Sequence, residues 1–188
     1  METDRFEALI DAILAIIVTI IVLEIPMARL GTWESLWAVR MDFIIYALSF
    51  LVIFNFWNYN NNIFSIVNRI DDRIIWIMGL SLFILSFLPY LTIFVAENFN
   101  SFVAHAFYGL DFLLTAITSI WIGHALKKSD PANIALQVAL RSFKPLYSTL
   151  ILMAIGYIIG YFVYPPAISL CCLISIPVLW IVSKRQFM

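Results

Sequence analysis

Charged and metal-binding residues are scarce in this sequence. Of its 188 residues only 12% are charged and 63% are hydrophobic, and there are just two histidines and two cysteines. A soluble domain carries roughly a quarter of its residues as charges. The composition therefore excludes an ordinary soluble fold and predicts an integral membrane protein. The formal net charge of −1 also leaves no basic surface for nucleic acid.

The few residues capable of catalysis or metal binding do not form a motif. His105 and His124 lack the spacing of metal ligands, so we interpret them as surface or hydrogen-bonded bundle residues. Cys171 and Cys172 are adjacent in an apolar run, which favours small buried hydrophobic side chains over a disulfide or metal pair. We expect neither an enzyme nor a protein with a bound cofactor.

Long apolar segments dominate the chain instead. A helix needs about 20 apolar residues to cross the hydrocarbon core of a bilayer, and the connections between such segments are short. We predict an all-α fold with one domain over residues 1–188. Six spans are predicted: 6–26, 41–60, 74–96, 102–126, 146–163 and 166–183.

The basic residues predict the orientation of these spans. If six helices alternate, nine of the eleven Lys and Arg residues lie on the side that holds both termini. They are Arg5, Arg69, Arg73, Lys127, Lys128, Arg141, Lys144, Lys184 and Arg185. The opposite side holds Arg29 and Arg40. Because cytoplasmic loops are enriched in Lys and Arg, we predict a multi-pass plasma-membrane protein with both termini in the cytoplasm.

The first apolar segment contains an acidic residue that a plain anchor does not need. From Ala12 to Leu23 its only polar residue is Thr19, yet Asp11 lies just before this run. Ionisable groups within a membrane helix usually face protein or water, because exposing them to lipid is costly. Arg5 is six positions away and does not face Asp11 along the helix. Asp11 is therefore expected to meet polar groups on a neighbouring segment.

The same helix carries a stripe of four residues on one face. At 3.6 residues per turn, Ile16, Thr19, Ile20 and Leu23 fall on one side. The commoner explanation of such a stripe is contact with lipid or with other helices. The alternative is that it lines a pore.

An asparagine cluster, residues 58–62, follows the second segment. Its neighbours in the 69–73 stretch are charged, which is typical of a solvated loop. The alternative is that some of these amides reach the cytoplasmic end of the first helix and hydrogen-bond Asp11.

Proline and glycine mark two later positions. Pro89 is expected to kink the third span or loosen the turn before it. Gly156 and Gly160, each followed by tyrosine, resemble part of a carbonyl filter, but the stretch is embedded in a continuous helical pattern. Glycines four apart favour close helix packing, which is our interpretation.

Taken together, these segments resemble a known family. The prokaryotic homologues of transmembrane protein 175, the endosomal/lysosomal potassium channel, open their first helix with Arg, three residues and Phe-Ser-Asp. Arg5 and Asp11 match this signature, with Leu9-Ile10 in place of Phe-Ser. The resemblance continues through 12–16, 23–25, 46–53, 88–92, 141–147 and 165–177. The chain departs from the family pattern at Asn60 and Asn61, usually histidines, and at Met78, usually asparagine.

This resemblance implies a potassium-permeable channel. Chains of six helices would assemble as homotetramers in the bilayer, with the first helices lining the pore and no carbonyl filter. Carried over by position, Ile16 would form the narrowest hydrophobic ring, Ile20 and Leu23 further rings, and Thr19 a hydroxyl between them.

The family signature also implies a polar gating network at the cytoplasmic end of the first helix. Its members would be Arg5, Asp11, Asn60 and Asn61. Glu24 would gather cations at the outer mouth, although a solvated helix end accounts for it equally well. The competing functions are a small secondary transporter and a membrane scaffold. A transporter is expected to show inverted repeats and helices broken at mid-membrane, and neither is evident in the sequence.

Overall fold

The fold, a computed structural model, is built from helices. It describes residues 3–141 and 143–184, with side chains over 5–141, at 143 and over 146–177. The predicted cytoplasmic residue Arg185 lies outside this part, as do the side chains of Lys144 and Lys184. In chain order the described helices are α1 (Thr3–Leu23), α2 (Trp33–Ala38), α3 (Arg40–Phe64), α4 (Asp72–Leu85), α5 (Leu88–Glu97), α6 (Phe102–Ser129), α7 (Ile134–Ala139), α8 (Lys144–Phe162) and α9 (Ala167–Lys184).

Four helical stretches are long and apolar enough to cross a membrane. They are Arg5–Leu23, Arg40–Phe64, Asp72–Glu97 and Phe102–Ser129. The last two predicted spans correspond to shorter apolar stretches, Leu146–Phe162 and Ala167–Pro177. The prediction of an all-helical membrane protein is confirmed, and the four long stretches match the first four predicted spans.

The boundaries of two helices differ from the prediction. α1 ends at Leu23 rather than continuing to Pro26, because the residue before a proline is disfavoured in helical conformation. α3 continues to Phe64, so the asparagine cluster is helical and the predicted loop is wrong. Asn60 and Asn62 donate their side-chain amides to the carbonyls of Phe56 and Asn58, at 2.8 and 2.7 Å. These bonds one turn back along the helix satisfy the amides inside it.

The sequence analysis does not predict α2 and α7, because each is only six residues long. Each begins at a side-chain cap. Thr32 accepts a hydrogen bond from the backbone N–H of Ser35, and Asn133 accepts one from that of Leu136. Side-chain caps of this kind satisfy backbone donors that the first turn leaves unpaired.

The break between α4 and α5 confirms the effect predicted for Pro89. Helical structure is interrupted at Ser86 and Phe87, and Pro89 lies in the first turn of α5. Proline has no N–H to continue the hydrogen-bond ladder. The freed turn is held partly by Ser86, whose hydroxyl donates to the carbonyl of Phe83 at 2.7 Å.

The helices pack so that large apolar side chains remain on the outside. α1 packs against α3 and α5, α6 against α4, α5, α8 and α9, and α8 lies along α9. Trp76 is 80% exposed, and Phe83 and Ile151 are also exposed. An extensive apolar surface of this kind suits lipid or other protein helices rather than water.

The glycines of α8 confirm the packing interpretation. Residues 156–161 are helical throughout. A Cβ atom built on Gly156 would lie 2.9 Å from Cβ and Sγ of Cys171, and one on Gly160 would lie 2.7 Å from Cγ1 of Ile168. Glycine at these positions therefore permits the close approach of α8 to α9.

Replacing Gly156 by alanine is expected to destabilise the protein by about 1–3 kcal/mol, the usual cost of overpacking. Cβ of Cys171 is attached directly to the backbone of α9, so it cannot move aside without moving that helix. The matched control is Gly79→Ala in α4, where nothing lies within 4 Å of the added atom. The control should be neutral or stabilising by up to about 1 kcal/mol through helix propensity. Equal melting temperatures for both variants in detergent would contradict the close-packing role.

Candidate pore helix and its contact with α3

α1 has two faces with different surroundings. Its inner face points into the chain's own core. The buried residues of this face recur every three or four positions, as expected for one side of a helix. The buried residues of this face are Phe6, Ile10, Leu14, Ile17 and Ile21. They pack against a bundle whose nearest members are α3 and α5. One side of α1 is therefore anchored within the chain's own fold.

The opposite face of α1 is open in the single chain. Ile16, Ile20 and Leu23 are 58%, 41% and 81% exposed. Thr19 lies between them, also exposed, and its hydroxyl donates to the carbonyl of Ile16 at 2.8 Å. The hydroxyl proton is thus held by the helix itself, while the oxygen can still accept a hydrogen bond from water. The four residues of the predicted stripe share an uncovered surface.

Glu24 follows the last residue of α1 and is exposed. Its backbone N–H donates to the carbonyl of Ile20 at 3.2 Å, so it sits directly on the C-terminal turn. Because the C-terminus of a helix carries a partial negative charge, a carboxylate there is not stabilised by the helix. The two negative groups together favour a nearby cation.

At the other end, Asp11 contacts α3. The indole Nε1–H of Trp57 donates to Oδ1 of Asp11 at 2.8 Å. The two residues share a cleft with Glu7, Ile10, Asn60, Asn61 and Phe64. The prediction of a partner for Asp11 on a neighbouring segment is confirmed. The donor is the indole of Trp57, not one of the asparagine amides considered as an alternative.

The asparagines of the predicted network occupy different surroundings. Asn60 is only 3% exposed and bonds its own helix, whereas Asn61 is exposed. Both line the cleft around Asp11. Arg5 is exposed, and within the described residues it makes no hydrogen bond or ion pair with Asp11. Of the four residues of the predicted network, Asp11, Asn60 and Asn61 therefore line one cleft, and Arg5 is not among its lining residues.

Trp57 is the functional candidate that the sequence analysis missed. It ends a ladder of aromatic rings along α3, stacked on Phe54 with 5.7 Å between centroids, and Phe54 is stacked on Phe50 at 6.2 Å. Once α3 is extended to Phe64, Trp57, Asn60, Asn61 and Phe64 recur at spacings of three and four and share one face. Recognising that the asparagine run was helical would have placed Trp57 beside Asp11.

The histidines and cysteines occupy the structural roles expected of them. His105 is buried, and its ring nitrogens lie 2.7 Å from the Ser169 hydroxyl and from the carbonyl of Phe99. His124 lies 2.8 Å from the carbonyl of Ile120. Cys171 and Cys172 are free and buried. Among the described residues, no group of three or more His, Cys, Asp or Glu side chains is arranged to hold a metal ion.

These features define an all-helical integral membrane protein whose first helix is anchored on one side and uncovered on the other. A family model described as endosomal/lysosomal potassium channel TMEM175 matches residues 5–89. That match includes α1 from Arg5 onward, the cleft around Asp11 and the helix break before Pro89.

Individual relatives extend the similarity beyond this region. A potassium channel of Chryseobacterium sp. (strain P1-3) is 27% identical over 186 residues, covering 99% of this chain and 96% of the relative. A potassium channel of Streptomyces collinus is 31% identical over 130 residues, covering 64% of this chain and 63% of the relative. None of these is named as an enzyme, in agreement with the expected absence of enzymatic function.

A solved structure also matches. The crystal structure of a lysosomal potassium-selective channel TMEM175 homologue from Chamaesiphon minutus has a TM-score of 0.68 and 26% sequence identity. The match covers 98% of this chain and 96% of that one. Over almost its whole length the chain is therefore similar to a homologue of transmembrane protein 175.

Proposed function

We propose that this protein is a potassium-permeable cation channel and that four copies of α1 line its pore. The observation that carries the proposal is the division of α1 into an anchored face and an uncovered stripe of Ile16, Thr19, Ile20 and Leu23. The potassium channels among the relatives support the choice of ion. Residues 1–188 would act as one channel domain, without a cofactor.

The stripe suggests how such a pore would work. Ile16 to Leu23 spans about 10 Å along the helix, so rings of aliphatic side chains would form a hydrophobic constriction. A narrow hydrophobic ring expels water and blocks ions, whereas a wider one passes a partly hydrated ion. Side chains rather than backbone carbonyls would then set selectivity, with Ile16 as the narrowest point and Glu24 attracting cations at the outer mouth.

Assembly follows from the geometry of a single chain. One helix cannot enclose a pore, and α1 is the helix that carries this stripe. A homotetramer would bring four stripes together around one axis. In each subunit we propose six spans, because α8 and α9 contain 19 and 18 residues. Their lengths of about 27–28 Å approach the thickness of the hydrocarbon core.

Light scattering and flux assays test this proposal together. With the detergent contribution subtracted, the particle should contain four copies of the 21.6 kDa chain. Liposomes containing the purified protein should release potassium down its gradient. A conducting monomer would contradict the shared pore. Flux that stops without a sodium or proton gradient would instead indicate a coupled transporter, and tetramers without flux would indicate a scaffold.

We also propose that both termini face the cytoplasm of a plasma-membrane protein. The bias of Lys and Arg toward that side of six spans supports this orientation. It places the loop before α2 outside and the loop after α3 inside.

Cysteine labelling tests the orientation. In a Cys171→Ala, Cys172→Ala background, a cysteine replacing exposed Thr32 should react with a membrane-impermeant thiol reagent in intact cells. A cysteine replacing exposed Ser65 should react only after the cells are lysed. The reverse pattern would invert the topology, and labelling of both before lysis would contradict an odd number of spans between them.

A further inference from the structure

A second ionisable residue lies deep within the bundle, away from α1. Asp111 is the tenth residue of the 28-residue helix α6, about 14 Å from its start. It is only 5% exposed. A charged carboxylate near the middle of a membrane helix costs roughly 2.5–3.5 kcal/mol on insertion scales, so such residues usually have a partner or a function.

Asp111 lacks the partner that its burial demands. Its Oδ2 atom and Oγ1 of Thr115 are buried and form no hydrogen bond within the part of the chain that the structure describes. The two residues are four apart on one helix and therefore lie on the same face. An unpaired buried oxygen costs about 1–3 kcal/mol, and here two of them are neighbours.

The surrounding hydroxyl groups are satisfied, so the pair stands out against a well-bonded interior. Ser49 lies 2.7 Å from the hydroxyl of Thr92 and 3.0 Å from that of Tyr108. Thr118 donates to Ser81 at 2.9 Å, and Ser119 donates to the carbonyl of Thr115 at 2.8 Å. Unsatisfied groups in an otherwise bonded core call for a specific explanation.

Among the described side chains, the helices packed against α6 supply no basic group at the level of Asp111. The ionisable residues of α4 are Asp72 and Arg73, in its first turn, and those of α5 are exposed Tyr90 and terminal Glu97. α7 has none. α6 itself carries His105 and Tyr108 before Asp111, and His124, Lys127 and Lys128 in its last two turns. The other described titratable residues are Tyr147, Tyr157 and Tyr161 on α8 and Cys171 and Cys172 on α9. The Tyr157 hydroxyl already donates to the carbonyl of Ala106 at 2.6 Å.

We propose that Asp111 and Thr115 form a proton-binding site in the interior of each subunit. A proton on Oδ2 converts the carboxylate into a neutral acid that can donate a hydrogen bond. The unpaired hydroxyl oxygen of Thr115 is the acceptor one turn away. A single proton, taken reversibly from water, therefore removes the buried charge. A side-chain rotation that brings Oδ2 to Oγ1 then pairs both oxygens, which are not bonded to each other in the structure.

A metal cation fits this position less well than a proton. Hard cations in proteins usually take about six oxygen ligands, whereas Asp111 and Thr115 provide the only unpaired side-chain oxygens buried in the described residues. The carbonyls of α6 around them belong to its helical hydrogen-bond ladder. The proton is the one monovalent cation that two oxygens suffice to bind.

The position of the site connects it to the rest of the subunit. Tyr108 lies one turn before Asp111, and its hydroxyl is bonded to Ser49, which joins α3 to Thr92 of α5. Both α3 and α5 pack against α1. Loss of the proton would place a negative charge one turn from Tyr108, whose hydroxyl group links these helices. The existence of the site does not depend on the proposed channel function.

Infrared spectroscopy of the purified protein in liposomes tests the site directly. At neutral pH the wild-type protein should show a carbonyl band of a protonated carboxylic acid. Asp111→Asn should lose this band, and Thr115→Val should shift it because the acid loses its acceptor. Glu97→Gln, at an exposed carboxylate, is the matched control and should retain it unchanged. Similar melting temperatures for Asp111→Asn and wild type would show that the near-isosteric amide preserves the fold.

Three results would overturn the proposal. The first is the absence of the acid band from the folded wild-type protein at neutral pH. The second is its persistence in Asp111→Asn. The third is its disappearance when sodium or potassium replaces choline in the buffer, which would assign the site to a metal cation. Indifference to the salt would support the proton.

Discussion

Replacing Ile16 by asparagine is expected to raise potassium flux at least about tenfold and to weaken discrimination between K⁺ and Na⁺. Tenfold in rate requires only about 1.4 kcal/mol from a barrier, and a tetramer changes four side chains at once. Ile16 is 58% exposed in the single chain, so asparagine there does not disrupt the subunit core. A polar ring would keep water in the constriction, which lowers the barrier that dewetting presents to a passing ion.

The matched control is Val22→Asn. Val22 is also an exposed aliphatic residue of α1, but it lies about 120° around the helix from Ile16. Ile17, although adjacent, is buried against the subunit core and would report on folding instead. Flux from liposomes should rise for Ile16→Asn and stay near wild type for Val22→Asn. Equal effects of the two variants would mean that the stripe is ordinary packing surface.

The second large effect is expected from Asp11→Leu, which should reduce both the tetramer yield and the flux severalfold. Leucine cannot accept the hydrogen bond from Trp57, so the indole N–H loses its partner in a half-buried cleft. A hydrogen bond to a charged group contributes about 1.5–3 kcal/mol, and the exposure of Asp11 places this one toward the lower end. Asp11→Asn should behave much more like wild type, because the amide oxygen still accepts the bond.

A double-mutant comparison separates the contact from general damage. Trp57→Phe keeps the ring but removes the donor, and the double variant Asp11→Leu, Trp57→Phe should be little worse than Asp11→Leu alone. Trp76→Phe is the control, since Trp76 is exposed on α4. Size-exclusion profiles and melting temperatures provide the measurements. Strictly additive losses would show that Asp11 and Trp57 act independently. Wild-type behaviour of Asp11→Leu would show that assembly does not require Asp11.

The cleft around Asp11 shows why part of the site could be predicted and part could not. Asp11 lies in an apolar helix, where an unpaired carboxylate is costly. The sequence alone therefore already required a polar partner. The identity of that partner depended on where α3 ends. Asparagines are common in loops, but Asn60 and Asn62 bond the carbonyls four residues before them and remain in the helix. Their amides are therefore used within α3, and the donor that reaches Asp11 is the indole of Trp57.

Short and buried features were the least accessible to sequence reasoning. α2 and α7 are too short for a periodic pattern to reveal them. The pairing of His105 with Ser169 joins residues 64 positions apart, which no local spacing could suggest. By contrast, Gly156 and Gly160 were correctly assigned to packing, because the small-residue spacing is itself the cause of the close approach of α8 to α9.

The sequence by itself determined that this is a membrane protein, that it is helical and that its first helix carries the stripe. Each depends on composition or on the 3.6-residue period, which are properties of a short stretch of chain. Only the tertiary structure decided which face of α1 is anchored, which donor reaches Asp11 and that Asp111 and Thr115 are left unpaired in the interior. These depend on contacts between distant segments, because a side chain's partner is set by how whole helices pack against one another.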